Sequence, residues 1–268
     1  MTDNASVSMR KVVQYATPEL MHRATAARFL LEVSDRLAEG PRVDVALTGG
    51  TDGTAVLKAI AESPLHDAVD WSRVHLWWGD ERFVAADSSE RNAQQARQAW
   101  FGKIVDDGLM SASHVHEMPA DTRTAEEIAA ASDEEDVALL NRAAAEYDKE
   151  LVYELGARPK LDIAMFGVGP DGHFASLFPD FPEIRIDDPL KRVVGISHSP
   201  KLPPLRLTLT SPFIRRSDRV WMLAGAEGKA EAVAGALSGV NNPHVPSSFA
   251  AGEQETLWLI TKASAKLL

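Results

Sequence analysis

Short apolar runs alternating with helix-period segments constrain this chain most, because few folds bury both kinds of element at once. VVQYA (12–16) reads as a strand. Pro18, at a helix start, leads into ELMHRATAARFLLEVSDRLAEG, closed by Gly40. VDVALTGG (43–50) is a strand and a glycine turn before the helical GTAVLKAIAES, and VHLWWGDER (74–82) is a strand ending in charge. NAQQARQAWFGKI reads as helix, and NRAAAEYDKELVYEL as a long helix stopped by Gly156. The strands LDIAMFG, RVVGIS, LRLTLT, RVWMLA and TLWLIT follow, with a helix GKAEAVAGALSG between the last two. Such alternation demands crossover connections and a largely parallel sheet covered on both faces. The expected class is α/β: a three-layer, doubly wound sheet with helices on both faces. No repeat or low-complexity linker divides the sequence, so residues 1–268 are expected to form one domain, with 1–10 flexible.

Composition narrows the function. Cysteine is absent, which excludes disulfides, thiolate metal sites and a cysteine nucleophile. No apolar run is long enough to span a bilayer, and MTDNASVSMRK has no signal-peptide core, so a cytoplasmic location is expected. The net charge of −11 argues against a nucleic-acid partner, which selects a basic face. Much of it is local: DTRTAEEIAAASDEED (121–136) sets seven acids against Arg123 and reads as a solvated loop or helix face. The milder charge elsewhere leaves room for an anionic small substrate.

In parallel sheets, ligands bind beyond the carboxyl ends of the strands. The turns at those ends are Thr48–Gly53, Gly79–Arg82, Gly167–His173 and Gly225–Lys229. Gly167, Gly169 and Gly172 match the glycine spacing of a dinucleotide-binding turn, and Asp187 stands near where its acid would fall. Pro179 and Pro182 leave too few residues for the crossover helix, however, and Pro170 removes an N–H that should face a pyrophosphate. The turn is better explained by Asp171 and His173. A histidine fixed there suits a general base oriented by the aspartate, although it could instead merely cap a helix starting near Phe174. Gly49 and Gly50 offer bare N–H groups at a helix N-terminus, which suit a phosphate or simply make a turn. Lys229 at a helix start is electrostatically unfavourable unless an anion lies near it. Arg206, inside an apolar strand, needs a carboxylate or phosphate partner, and Arg82 pairs either with such a ligand or with Asp80 or Glu81. His114 and His116, lacking a third ligand, read as surface residues, and no metal is expected. No G-x-S-x-G elbow offers a serine nucleophile.

Taken together, LDIAMFGVGPDGHFASLFP, WWGDER, DSSERNAQQAR, PPLRLTLT, AGAEGKAEAV and HVPSSFA resemble, in order, the blocks of the 6-phosphogluconolactonase family over roughly residues 12–262. The resemblance implies hydrolysis of 6-phospho-D-glucono-1,5-lactone to 6-phosphogluconate, in the oxidative pentose phosphate pathway. His173 would be the base, Asp171 its orienting group, and Gly49, Gly50, Arg82, Arg206 and Lys229 the phosphate contacts. No cofactor is implied, and a monomer without nucleic-acid or membrane partners is expected. Two departures stand out. Thr48-Gly-Gly-Thr-Asp-Gly53 replaces the usual Ser-Gly-Gly-Ser-Thr-Pro, which implies that Asp52 points away from a phosphate. Phe174 replaces the usual threonine after the histidine. The related glucosamine-6-phosphate deaminases carry Met-Asp-Glu and Ala-Phe-Asn-Glu-Pro where this chain has Gly79-Asp-Glu-Arg82 and Ala175-Ser-Leu-Phe-Pro179. A non-catalytic sugar-phosphate sensor would be expected to add a DNA-binding segment, and none is evident.

Overall fold

The computed structural model describes residues 10–268. Of the segment 1–10, residues 1–9 lie outside the described residues, and Arg10 opens the first strand. In chain order, β1 (Arg10–Tyr15), α1 (Pro18–Glu39), β2 (Val43–Leu47), α2 (Gly50–Ala61), β3 (Val74–Trp78) and β4 (Asp80–Arg82) come first. After them come α3 (Asn92–Ala96), a π-helical stretch (Arg97–Phe101) and α4 (Gly102–Asp106), then α5 (Ala125–Ala130) and α6 (Asp133–Leu155). The chain finishes with β5 (Ile163–Gly167), β6 (Val193–Ile196), β7 (Arg206–Leu209), α7 (Ser211–Ile214), β8 (Arg219–Ala224), α8 (Ala230–Leu237) and β9 (Glu255–Thr261).

The expected α/β class holds. Six strands form a parallel sheet in the order β1-β9-β8-β5-β2-β3, with helices around it. From β2 the chain crosses to β3 on one side, whereas from β5 it moves through β8 and β9 on the other. The order therefore reverses between neighbours β2 and β5, and a crevice must open beyond their carboxyl ends. β2 and β3 are buried at every position, which explains sequences that are apolar apart from Asp44 and His75.

One feature went unforeseen. VHLWWGDER is not a single strand: Gly79 breaks it, and β4, β7 and β6 form a separate antiparallel sheet. Gly79 joins the two sheets, donating to Leu47 O at 3.0 Å and accepting from Leu209 N at 2.9 Å. A Cβ there would lie 2.3 Å from the Phe166 ring, so only glycine fits. The acidic segment 121–136 supplies helix caps. Thr124 with Glu127 and Ser132 with Glu135 form capping boxes for α5 and α6, and the acids Asp133–Asp136 sit in the favourable first turn of α6. That helix thus begins well before the apolar pattern suggests.

Tyr147 of α6 is fully buried; its hydroxyl accepts from Trp78 N at 3.0 Å and donates to His116 O at 3.1 Å. It thereby satisfies backbone that edge strand β3 would leave unpaired. Tyr147→Phe should destabilise the fold by about 1–3 kcal/mol, the scale for stranding buried polar groups. Urea unfolding should show a lower midpoint at unchanged slope.

Candidate active site

A cleft of about 220 Å³ opens beyond β2 and β5, lined among others by Gly49, Gly50, Asp80, Arg82, Asn92, His173, Arg206 and Lys229. Every binding residue expected from the sequence lines it, as does His173; Asp171 stands directly behind the histidine. The chain between Gly167 and Leu177 forms no helix, only isolated bridges linking Val168 to Phe174 and Phe174 to Leu177. His173 is therefore not a helix cap. Gly172 takes φ +86°, and a Cβ on Gly169 would lie 2.1 Å from the imidazole, so these glycines let the turn close against the ring.

Asp171 Oδ1 bonds His173 Nδ1, and Asp171 Oδ2 lies 3.5 Å from Lys201 Nζ. Burial pushes the Asp171 carboxyl up, but the hydrogen bond and charge of His173, with help from Lys201, hold it well below the usual carboxylate range. An ionised Asp171 fixes Nδ1 as the protonated nitrogen. Nε2 then carries the lone pair, and no described residue binds it. Phe178 packs against the ring with centroids 4.8 Å apart.

Two cations face each other across the small sheet, since Arg82 and Arg206 are register partners in the antiparallel β4–β7 pair. Like charges so placed are unfavourable without an anion. Among the described residues neither forms an ion pair with a carboxylate, so the expected alternative of Arg82 with Asp80 or Glu81 is not realised. Arg82 donates Nη1 to Glu90 O at 2.8 Å, while its Nε is buried and unpartnered. Arg206, 4 % exposed, gives Nε and Nη2 to the carbonyls of Pro203, Lys201 and Leu202 and lies over Phe178, leaving Nη1 without an acceptor. Carbonyls and a ring thus supply the partners that its strand position demanded.

Asp52 corrects the sequence reading, because it points inward. Its carboxylate accepts from Lys229 Nζ at 2.5 Å, His22 Nε2 at 2.9 Å and Gly225 N at 3.0 Å. The charge conflict of Lys229 is accordingly met by an internal carboxylate rather than needing a ligand. Burial pushes Asp52 up, yet the hydrogen bond from His22 and the charge of Lys229 carry it well below the ordinary range. Asn92 was also passed over: its Nδ2 donates to Asp80 O at 2.9 Å, and its Oδ1 is buried without a partner beside Gly49. Only the quoted block DSSERNAQQAR signalled it. Ser176 Oγ bonds Asp80 Oδ2 at 2.6 Å, next to Ala175, whose φ of +49° is strained for a side-chain-bearing residue. His116 corrects a second reading, being 4 % exposed rather than at the surface, while His114 is half-buried.

Backbone N–H groups, two arginines without a carboxylate partner and a histidine–aspartate pair thus share one cleft at the sheet's switch point. The chain belongs to the family described as glucosamine-6-phosphate isomerases/6-phosphogluconolactonase, which matches residues 16–258. It is 41% identical to a 6-phosphogluconolactonase of Streptomyces coelicolor over 263 residues, covering 96% of this chain and 94% of the relative. Its fold resembles that of a 6-phosphogluconolactonase from Trypanosoma brucei, with TM-score 0.79 and 23% identity over 97% of this chain and 99% of that one. A monomeric glucosamine-6-phosphate deaminase shares the fold at TM-score 0.72 and 17% identity, covering 96% of this chain and 100% of that one.

Asp52→Asn should cost about 1–3 kcal/mol at pH 7, the scale for disrupting a buried charge-assisted network. A carboxylate whose pKa is depressed by folding stabilises above its unfolded value, about 3.9, and loses that contribution as pH falls. The gap between wild type and variant should therefore narrow progressively below about pH 4. Denaturant melts across pH 3–7 measure this, and a gap independent of pH would contradict it.

Proposed function

We propose that this chain hydrolyses 6-phospho-D-glucono-1,5-lactone to 6-phosphogluconate, the lactonase step of the oxidative pentose phosphate pathway. His173 acts as the general base. The single observation that carries the reading is the Asp171-held imidazole, with its free Nε2 turned into a cleft that also holds Arg82 and Arg206. Sequence identity of 41% to a named 6-phosphogluconolactonase supports the choice of lactone over amine chemistry.

In the first step Nε2 takes a proton from water as its oxygen bonds to the lactone carbonyl carbon. The carbonyl electrons move onto oxygen, and Asp171 stabilises the imidazolium. When the tetrahedral intermediate collapses, the bond from that carbon to the ring oxygen breaks. The imidazolium returns its proton to the departing oxygen, and the ring opens to the acid. Arg82, the free Nη1 of Arg206, and the N–H groups of Gly49 and Gly50 hold the phosphate. Lys229 assists with the protons that its Asp52 pair leaves over, since an ammonium has three donors. As parts of the same proposal, the chain works as a single-domain monomer in the cytoplasm without a nucleic-acid or membrane partner. Among the described residues no helix is long and apolar enough to cross a membrane.

His173→Ala should lower kcat by about 10²–10⁴-fold, the usual contribution of a positioned base, at little change in melting temperature. Rates of acid release from freshly prepared lactone, read above the spontaneous rate, test it. Near-normal kcat in a folded variant would remove His173 from the mechanism.

Arg82→Ala and Lys229→Ala should each weaken 6-phosphogluconate binding by about 1.5–3 kcal/mol, as expected for a lost charge-assisted hydrogen bond. Arg206→Lys should fail to restore full affinity, because an ammonium cannot reproduce a fork already committed to three carbonyls. Titration with product and with unphosphorylated gluconate separates phosphate contacts from general damage. Preserved discrimination in all three variants would place the phosphate elsewhere.

A further inference from the structure

At the opposite end of β3 from the cleft lies a histidine pair that the lactonase reading does not use. His75 is the second residue of β3, and the segment after α4 returns alongside that strand, with His116 N donating to Leu76 O at 2.8 Å. The two rings are stacked with centroids 5.3 Å apart, and His75 Nδ1 stands 3.0 Å from His116 Nε2. Both are buried, at 8 % and 4 % exposure. Two nitrogens on one tetrahedral ion, bonded at about 2.0–2.1 Å, would stand about 3.3 Å apart, so little movement separates this pair from a chelate.

Three independent features surround the pair. Glu154, on the α6 face that also presents Tyr147 and Glu150, brings an oxygen so that one donor atom from each of His75, His116 and Glu154 lies within 4.8 Å of the others. Glu150 Oε1 bonds His116 Nδ1 at 2.7 Å, fixing the tautomer that leaves Nε2 as a lone-pair donor. Histidine ligands of metals are oriented by carboxylates in this same way. Finally, Asp44, Glu150 and Glu154 outnumber Arg42, which pairs with Asp44 at 2.6 Å and Glu154 at 3.2 Å. Three carboxylates against one guanidinium leave a formal charge of −2, the complement of a divalent ion. Trp77 stacks on His116 at 3.9 Å and walls one side.

We propose that His75, His116 and Glu154 form a binding site for a zinc-type divalent transition metal, tying edge strand β3 and its neighbouring segment to α6. The ligand set of two imidazoles and a carboxylate suits such an ion, with water as the fourth ligand. Binding requires His75 to change tautomer, its single ring proton leaving Nδ1, where it is shared with His116, for Nε2. Glu154 must turn from Arg42, which retains Asp44.

Chelator-treated protein is titrated with ZnCl₂ by calorimetry and with CoCl₂ by visible absorption. One saturable site per chain is expected, with a cobalt spectrum of tetrahedral type and a melting temperature that rises with free zinc, as for any ligand of the native state. Glu154→Gln, on a partly exposed helix face, keeps the fold and replaces a ligand itself by a neutral amide. It should weaken zinc by at least the roughly 10- to 100-fold that loss of a carboxylate behind a ligand costs. His116→Ala should abolish the site if it folds. His173→Ala should leave zinc affinity unchanged. The absence of saturable binding overturns the proposal. So does equal affinity in wild type and Glu154→Gln, or loss of binding in His173→Ala, which would locate the ion in the cleft.

Discussion

The reversal of strand order between β2 and β5 is the constraint on which the rest of the molecule depends. Parallel strands carry their chains away in the same direction, so neighbours that turn to opposite sides leave a gap that no connection crosses. The glycines following β2 and β5 border this gap, where a Cβ on Gly49 would lie 1.9 Å from Asn92 Oδ1 and one on Gly169 would strike the His173 ring. Close backbone approach and the Asp171–His173 geometry are thus one requirement. The turn that brings Asp171 and His173 together exists because nothing larger than hydrogen fits at residue 169.

The main sheet supplies acid–base groups and backbone donors, but its buried strands have little room for cations. Apart from Lys229 in the turn after β8, those come from the small antiparallel sheet, where Arg82 faces Arg206. Asp80 stands beside them yet is engaged by Ser176 Oγ and by Asn92. Burial, with the like charge of Arg82, lowers the pKa of Arg206 by more than Asp80 and Glu81 raise it. The unfavourable placement of two guanidinium groups is what supports the proposed phosphate contact. It arises only because Gly79 breaks the polypeptide between the two sheets.

The legibility of the sequence follows the range of the interactions involved. Buried parallel strands announce themselves as continuous apolar runs, and the ends of α1 are written in Thr17, Pro18 and Gly40. The Asp-Gly-His turn was readable because its partners lie two residues apart. β4, with sequence DER, carries no strand signal, since its place is set by pairing with residues 206–208. The inward turn of Asp52 was invisible for the same reason: its partners Gly225 and Lys229 are more than 170 residues away. His116 was misjudged because the residues that bury it, His75, Trp77 and Glu150, come from β3 and α6.

Asp52 also changes how the glycine turn works. The N-terminus of α2 presents N–H groups and positive dipole, the usual cradle for phosphate, but this chain places a carboxylate in that first turn. That carboxylate is satisfied by Lys229, His22 and Gly225 N, so it clamps α1, α2 and the β8 turn while diluting the positive field of the cradle. In the proposed lactonase, a ligand phosphate would gain less from α2 than a turn without the acid would give it. Under that proposal more of the attraction would come from Arg82 and Arg206 across the cleft. The Asp52 network thus trades cradle strength for a rigid frame, which would weight the proposed anion recognition toward the small sheet.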